Sequence, residues 1–172
     1  MFHGTRKLTV GAGLLVMLVG CGGSSPTTPG PVVSASPTPA PVASDLVAVL
    51  NADIQDEYRA EAIYQGVLLD LGAGTMPFAN IIRAEQQHAR SVAALFTARG
   101  LAVPASVWSP SNVPRFSTLR EACAAGAVAE RENIALYDSQ LGLSLRDDVR
   151  RVLQNNRDAS LYNHLPAFQR CQ

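Results

Sequence analysis

The spacing of apolar residues in "IIRAEQQHARSVAALF", residues 81–96, restricts the fold of this chain more than any other feature. Apolar residues recur there at steps of three and four, which is the period of one face of an α-helix. The same face, which should be buried, carries Glu85 and His88 at its centre. Burying either group without a partner costs an amount comparable to the whole stability of a domain. The helix therefore requires a partner for both side chains.

A helix of the same kind is expected directly before it. Residues 44–71 carry an apolar stripe that contains Glu57 and Glu61, with a polar opposite face. The glycines and the proline of "GAGTMP", residues 72–77, are typical of the end of one helix and the start of the next. Helix two is therefore expected from about Pro77 to Gly100.

Two more helices follow a long connection. Residues 101–116 contain three prolines and no regular period, which predicts an ordered connection that can run the length of a helix bundle. Helix three opens with a capping box, Thr118 and Glu121, and has Glu130 on its stripe. Helix four, residues 144–171, has Arg157 and His164 on its stripe. Without strand-like alternation, the expected fold is all-α: an antiparallel four-helix bundle with a long crossover between helices two and three.

The four helices each place an ionisable group in the expected interior. A single buried His or Glu is usually satisfied by a carbonyl, an arginine or water, but four such helices together favour a metal. Glu85 and His88, at positions i and i+3, offer an oxygen and a nitrogen to one cation. Carboxylates packed together repel one another, and one or two divalent cations remove that repulsion. The sequence therefore predicts a metal site between the helices.

The same residues resemble the motifs of ferritin-like and rubrerythrin-like proteins. "EYRAEAIY" at 57–64 is similar to their first-helix pattern, "EQQH" at 85–88 to their Glu-x-x-His, "ERENIALY" at 130–137 to the third helix and "NHLPAF" at 163–168 to the fourth. Residues 46–170 as a whole resemble a ferritin-like domain-of-unknown-function family of bacterial and archaeal secreted proteins. The resemblance implies a four-helix fold with a metal centre, commonly iron, and it implies no particular reaction.

The resemblance also implies a set of metal ligands, which are Glu57, Glu85, His88, Glu130 and His164. A complete di-iron site would have a glutamate three residues before His164, where this chain has Leu161. The second metal position is therefore short of a ligand. A di-iron and a mononuclear iron site both remain open, and zinc or manganese are further candidates.

Three other side chains near the expected site keep two interpretations each. Glu61 is either a weaker candidate ligand or the ion-pair partner of Arg157. Tyr64 and Tyr137 are either plain core residues or hydrogen-bond donors that orient a ligand.

Cys123 and Cys171 are expected to form a disulfide bond. Their residue numbers have the same sum as those of Glu130 and His164. In an antiparallel pair of helices, equal sums mean equal register, so a geometry that brings Glu130 level with His164 also brings the cysteines together. An exported protein is exposed to the oxidising conditions in which such a bond persists.

The N-terminal region predicts export and lipid anchoring. Residues 1–20 have a basic start and a short apolar stretch, which is typical of a signal peptide. They lead into "LVGC", which resembles a bacterial lipobox and implies lipidation of Cys21. Residues 21–43, rich in Pro, Ser and Thr, then form a tether to a domain at 44–172. The expected location is the cell envelope, on the outer membrane and facing the periplasm or the exterior if the cell is Gram-negative.

Two functions remain open at this stage. A formal net charge of zero argues against nucleic acid as a partner. The first function is an envelope-anchored ferritin-like metal-binding protein, an iron-dependent oxidoreductase that acts on peroxide, oxygen or ferrous iron. It would need an external reductant because the chain has no Cys-x-x-Cys pair. The alternative is a non-catalytic structural or binding module whose buried site holds one structural metal or an Arg-compensated polar cluster. A homodimer also stays open.

Overall fold

A computed structural model describes residues 44–172, and all regular secondary structure in that range is helical. The predicted signal peptide, the lipidation site Cys21 and the tether lie outside the described residues. The helical elements, in chain order, are α1 (Ser44–Leu71), α2 (Phe78–Thr97), α3 (Leu119–Leu141), α4 (Asp147–Ala159), a π-helical turn (Ser160–His164) and α5 (Leu165–Arg170). The predicted all-α class is confirmed for this range. Between residues 44 and 172, no helix is long and apolar enough to cross a membrane.

The helix ends largely follow the local signals in the sequence. The Thr118 side chain accepts a hydrogen bond from the backbone N–H of Glu121, and the Glu121 carboxylate accepts one from the backbone N–H of Thr118, so the predicted capping box is present. Helix α2 ends at Thr97, earlier than expected, and Gly100 follows with a φ of 66° that suits glycine. Helix α4 begins at Asp147, three residues after the predicted start.

The fourth helix is interrupted, which the sequence periodicity did not predict. The backbone N–H of Leu165 donates to the carbonyl of Ser160, five residues back, in place of the usual four. Pro166 follows directly; it has no N–H, and its ring would clash with the carbonyl of Tyr162 in a regular α-helix. A π turn at this point relieves that conflict by adding one residue to the turn.

Because the π turn contains one extra residue, Arg157 lies on the outer face of the fourth helix and not on the predicted inner face. From Leu153 onward, the buried residues of this segment are Leu153, Asn156, Ser160, His164 and Phe168. Asn156 therefore takes the inward position that regular periodicity assigned to Arg157. The Arg157 side chain points outward and forms ion pairs with Asp138 and Asp158. The prediction that Arg157 lies on the inward face is therefore wrong, and the ion pair with Glu61, one of the two roles left open for Glu61, is absent.

The helices pack in pairs around a core that a polar layer divides. Helix α1 packs against α2 and α3, α2 also packs against α4, and α3 packs against α4, the π turn and α5. One apolar cluster includes Tyr64, Phe78 and Phe168. The other includes Leu50, Ile54, Phe96 and Leu153. The buried polar residues lie mainly between these clusters along each helix, and they are Asp53, Glu57, Glu85, His88, Glu130, Asn133, Gln140, Asn156, Ser160 and His164.

The connection between α2 and α3 lies along α1. The Gln55 side chain donates to the carbonyl of Ala105 at 2.8 Å and accepts from the backbone N–H of Val107 at 3.2 Å. Near the other end of α1, Arg115 forms an ion pair with Asp70. Gln55 and Asp70 are about 22 Å apart along a helix with a rise of 1.5 Å per residue. These contacts explain why a proline-rich segment without regular structure is ordered.

The predicted disulfide bond between Cys123 and Cys171 is present, and it joins the start of α3 to the C-terminal end. Cys123 is fully buried in the apolar cluster that contains Phe168. Closing a loop across a sequence separation of 48 residues restricts the unfolded chain. The bond therefore stabilises the contact between α3 and the segment that carries His164.

Replacing Gly126 with alanine is expected to destabilise the protein by about 1–3 kcal/mol, because it overpacks the core. A Cβ atom at Gly126 would lie 2.8 Å from Cδ1 of Phe168, a rigid and fully buried ring. Urea unfolding measures the loss. The matched control is Gly74→Ala, where an added Cβ meets no atom within 4 Å. Equal stability of the wild type and Gly126→Ala would contradict this packing.

Candidate metal centre

The five predicted ligands meet in the polar layer, with Glu85 in the middle. His88 Nδ1 lies 3.0 Å from Glu85 Oε2 and 3.3 Å from Glu57 Oε2. His164 Nδ1 lies 3.0 Å from Glu85 Oε1 and 3.4 Å from Glu130 Oε2. All five residues are at most 7% exposed. Each imidazole thus faces Glu85 and one of two outer glutamates, which are Glu57 for His88 and Glu130 for His164.

Each element contributes to the cluster in a way that its local sequence explains. Glu85 and His88 lie one turn apart on the buried face of α2, as their i, i+3 spacing predicts. His164 ends the π turn, and its ring stacks on that of His88 with centroids 5.4 Å apart and planes 24° apart. Turns of this type are frequent at functional sites because they redirect a side chain within a helix.

Two tyrosines hold the outer glutamates. The Tyr64 hydroxyl donates to Glu130 Oε1 at 2.6 Å, and the Tyr137 hydroxyl donates to Glu57 Oε1. Burial raises the pKa of both hydroxyls well above the usual value, so they remain donors at neutral pH. Tyr64 follows Glu57 by seven residues on α1 but donates to Glu130 on α3. Tyr137 follows Glu130 by seven residues on α3 and donates to Glu57 on α1, so each helix supplies one donor to the other. Of the two interpretations left open by the sequence, the contacts favour the donor.

We expect Tyr64→Phe and Tyr137→Phe each to weaken metal affinity by about tenfold or more, because partners that orient metal ligands typically contribute that much. Competition with a chromophoric chelator measures the dissociation constant. Tyr58→Phe is the matched control, since Tyr58 is half-buried and lines a groove on the other side of α1. Unchanged affinity in both variants would show that the two hydroxyls do not tune the ligands.

The contacts between the imidazoles and the carboxylates leave several buried atoms unsatisfied. Glu57 Oε2, Glu85 Oε1 and His164 Nδ1 have no hydrogen-bond partner, although His164 Nδ1 lies only 3.0 Å from Glu85 Oε1. An imidazole N–H points in the plane of its ring, so a short distance without alignment is not a hydrogen bond. Buried polar atoms without partners are uncommon and require an explanation.

A cation held among these atoms would supply that explanation. Two ligand atoms at about 2.1 Å from one ion and about 90–109° apart lie about 3.0–3.4 Å from each other. The nitrogen–oxygen distances in the cluster span 3.0–3.4 Å. Glu85, His88 and His164 can each offer one atom such that all lie within 4.8 Å of one another. This buried group could therefore hold a metal ion.

The protonation of the cluster depends on whether a cation is present. Burial lowers the pKa of His88 and of His164, but the adjacent carboxylates outweigh burial and raise these pKa values to about 9 and about 10 in the metal-free protein. Burial also raises the pKa of Glu57 to about 7. Without a metal, two imidazolium groups thus offset much of the carboxylate charge. A metal that binds to neutral imidazoles must displace those protons.

A set of neutral polar residues surrounds the ligands, and sequence analysis assigned it no role. Asn133 donates to Asp56 Oδ2 at 2.9 Å and to Glu57 Oε1 at 3.4 Å. Ser160 donates to the Asn133 side-chain carbonyl at 2.8 Å, and Asn156 donates to the Tyr137 hydroxyl at 3.2 Å. A symmetric di-iron site would have a further ligand near position 161; there, Ser160 is buried and Leu161 is half-buried.

Helical periodicity is the one sequence signal that could have predicted the burial of these amide and hydroxyl side chains.

Glu61 lies apart from the described contacts of the cluster. It is half-buried and accepts a hydrogen bond from Gln86 at 2.9 Å. It lines a surface groove between α1 and α2 that also includes Tyr58 and Arg90. Four residues advance a helix by about 400°, so Glu61 is rotated by about 40° from Glu57 and faces α2. Glu61 therefore does not pair with Arg157, and none of its described contacts favours a role as a metal ligand.

Asp53 is a buried acid near the site that sequence analysis missed. It lies one turn before Glu57 on α1, is fully buried, and has no hydrogen-bond partner at either carboxylate oxygen. Burial raises its pKa to about 8, against the opposing effect of the neighbouring Gln140 side chain. Asp53 is therefore protonated at neutral pH. The one signal for its burial in the sequence is its spacing of four residues from Glu57.

Comparison with known proteins finds a similar structure but assigns the chain to no family. The sequence matches no protein-family model and no curated protein sequence. The structure is similar to the crystal structure of a hypothetical protein from Methanococcus jannaschii, with a TM-score of 0.65 and 21% identity. The match covers 79% of this chain and 84% of that chain. At this identity the similarity concerns the fold alone.

Proposed function

We propose that residues 44–172 form a ferritin-like four-helix bundle that binds a divalent metal between its helices. The pairwise packing of the helices and the motif resemblance at 57–64, 85–88, 130–137 and 163–168 support the bundle. The observation that carries the metal proposal is the buried group of Glu85, His88 and His164, which each offer one ligand atom within 4.8 Å of the other two. Glu85 Oε1 and His164 Nδ1 have no hydrogen-bond partner there. The whole chain is proposed to be a lipoprotein that holds this domain at the cell envelope through Cys21.

Iron is the proposed metal. Carboxylates and imidazoles together suit iron, and they also accept manganese and zinc. Glu85 lies 3.0 Å from both imidazole Nδ1 atoms, so its two oxygens are placed for one shared ion or for a pair of ions. Leu161 supplies no ligand where a symmetric di-iron site would have a carboxylate. A mononuclear or asymmetric centre is thus compatible with the donor set.

The proposed activity is that of an iron-dependent oxidoreductase acting on peroxide, oxygen or ferrous iron. Bound iron would supply the one-electron redox chemistry that no side chain provides. The chain contributes a water-poor layer, imidazoles held in place by Glu57, Glu85 and Glu130, and outer carboxylates fixed by Tyr64 and Tyr137. An external reductant would complete a catalytic cycle. The membrane is the other proposed partner, through the lipid on Cys21.

A second candidate is a non-catalytic structural module. The raised pKa values of His88 and His164, about 9 and about 10, favour it, because two imidazolium groups can compensate the buried carboxylates without a metal. His88 and His164 would then neutralise the buried carboxylates, a role for which the sequence suggested an arginine. A single structural zinc is another form of the same candidate.

Metal analysis combined with oxidation kinetics separates the two candidates. Full-length protein is purified in detergent without chelator, its metals are measured by mass spectrometry, and the ferrous form is then mixed anaerobically with hydrogen peroxide. Stoichiometric iron and oxidation faster than that of free ferrous ion would support the oxidoreductase. Stoichiometric zinc, or no metal together with a fully folded protein, would support the structural module and contradict the first proposal.

A further inference from the structure

The disulfide bond and the candidate ligand His164 lie on one short segment after α4. His164 ends the π turn, α5 follows with only six residues, Leu165–Arg170, and Cys171 comes next. Helix α5 packs mainly against α3, and the bond from Cys171 to Cys123 joins the segment to the same helix. Cys171 follows His164 by seven residues, about 10 Å along a helix. The position of the His164 imidazole therefore depends on how firmly this segment is held on α3.

Apart from the disulfide bond, Phe168 is the main attachment of this segment to the core. Phe168 is the one residue of α5 that is fully buried, and the other five are half-buried or exposed. Its ring centroid lies 5.2 Å from that of Tyr64 and 4.9 Å from that of Phe78. Tyr64 in turn donates to Glu130, whose Oε2 lies 3.4 Å from Nδ1 of His164. An isolated helix of six residues is unstable in water, so loss of the disulfide bond would leave this segment weakly held.

The two cysteines differ in their access to a reductant. Cys123 is fully buried, whereas Cys171 is half-buried and lies between two exposed residues, Arg170 and Gln172. Thiol–disulfide exchange begins when a thiolate attacks an accessible sulfur of the bond. An external thiolate therefore attacks Sγ of Cys171 and not Sγ of Cys123.

Reduction by an external dithiol takes two exchange steps. The first thiolate forms a bond with Sγ of Cys171 while the bond between Cys171 and Cys123 breaks, and Cys123 leaves as a thiolate that takes up a proton. The second thiolate of the reductant then attacks the first sulfur of the reductant, so Cys171 leaves as a thiolate and also takes up a proton. The reductant ends as a disulfide, and two electrons and two protons have passed to the cysteine pair.

We infer that Cys123 and Cys171 form a redox switch for the metal centre: the disulfide form retains the metal, and reduction by a dithiol weakens metal binding by releasing the segment that carries His164. The inference rests on the proposed function, because it needs a metal at the centre. Partners that orient metal ligands typically change metal affinity by about 10–100-fold, and reduction should have an effect of that size. Because coupling between two sites is reciprocal, bound metal should protect the disulfide against reduction by the same factor.

The first test compares metal affinity in the two redox forms. Full-length protein in detergent is titrated with manganese(II), whose free form is measured by electron paramagnetic resonance, and anaerobically with ferrous iron against a chromophoric chelator. Manganese favours oxygen ligands over thiolates, so the new thiols do not compete for it. Reduction with a phosphine should raise both dissociation constants at least about tenfold. The double variant Cys123→Ala/Cys171→Ala is the control: it should match the reduced protein and show no response to the phosphine.

The second test shows where reduction acts. Hydrogen exchange of the oxidised and reduced proteins is followed by mass spectrometry, and circular dichroism measures the total helix content. Reduction should speed exchange in residues 160–172 while exchange in α1 and α2 stays unchanged. Loss of most of the helical signal on reduction would contradict the inference, because the disulfide would then support the whole fold and not the His164 segment alone.

The third test uses the reciprocity of the coupling. The equilibrium between the oxidised protein and dithiothreitol is measured without manganese and with manganese at about 100 times its dissociation constant. Manganese should shift this equilibrium toward the disulfide by close to the ratio of the two dissociation constants, about tenfold. In Glu85→Gln, which lacks the central ligand, manganese should have no effect on the equilibrium, because the variant holds no metal at the centre.

The outcomes distinguish this inference from the proposed function. Oxidised protein that binds neither manganese nor ferrous iron would overturn both. Equal dissociation constants for the oxidised and reduced forms would overturn the inference and leave the metal centre in place. A disulfide equilibrium that manganese does not shift, or that manganese shifts equally in Glu85→Gln, would likewise reject the switch alone.

Discussion

Glu85→Gln is expected to abolish the rise in melting temperature that metal produces in the wild-type protein. Glu85 lies 3.0 Å from Nδ1 of His88 and 3.0 Å from Nδ1 of His164, so its loss removes a central ligand while glutamine preserves the volume. Metal at about 1,000 times its dissociation constant adds about 4 kcal/mol to the free energy of unfolding. For a domain of this size, Tm then rises by about 10–20 °C.

Calorimetry of the full-length protein measures this effect, with chelator in one scan and ferrous iron, manganese or zinc in the others. The matched control is Glu61→Gln, because Glu61 is half-buried on the same helix as Glu57 but accepts its hydrogen bond from Gln86. This variant should keep the full shift. A metal-dependent shift that survives in Glu85→Gln, or that disappears equally in Glu61→Gln, would contradict the ligand set.

Asp53→Asn is expected to stabilise the protein at neutral and alkaline pH. The pKa of Asp53 is about 8 in the folded protein, because burial disfavours the charged carboxylate, and about 3.9 in an unfolded chain. Between these values the folded state holds a proton that the unfolded state has lost, so the stability of the wild type falls as pH rises. Near pH 8 the loss reaches an order of 3–5 kcal/mol, and asparagine, neutral and of the same shape, avoids it.

Urea unfolding of the metal-free protein at several pH values tests this prediction. The difference between Asp53→Asn and the wild type should be small near pH 4 and grow steadily toward pH 8. Asp147→Asn, at an exposed position in the first turn of α4, should differ from the wild type by no more than about 1 kcal/mol. A difference at Asp53 that does not change with pH would show that its carboxyl is ionised in the folded state.

The helices and the central cluster could be predicted because local signals and burial agree there. Steps of three and four place Glu57, Glu85 and His88 on faces that are also buried in the structure. The capping box at Thr118 sets the start of α3 by local hydrogen bonds alone. The disulfide bond could be predicted because Cys123 and Cys171 have the same register between the two helices as Glu130 and His164.

The remaining features depend on tertiary structure or on a local irregularity. Arg157 was placed inside because a regular helix was assumed up to His164, and the π turn before Pro166 shifts the inward face by one residue. The exchange of partners by Tyr64 and Tyr137 depends on how α1 and α3 pack. Asp53 lies three residues after Leu50 and four before Glu57, so its spacing is compatible with burial, but its lack of a hydrogen-bond partner depends on how the helices pack.

The central claim is that a metal lies among Glu85, His88 and His164, and anomalous diffraction from crystals of the metal-loaded full-length protein tests it most directly. The account predicts a peak at the absorption edge of the metal, with bonds of about 2.0–2.2 Å to a Glu85 oxygen and to Nδ1 of both histidines. A map with no peak within bonding reach of these atoms, and with both imidazoles hydrogen-bonded directly to the carboxylates, would contradict it.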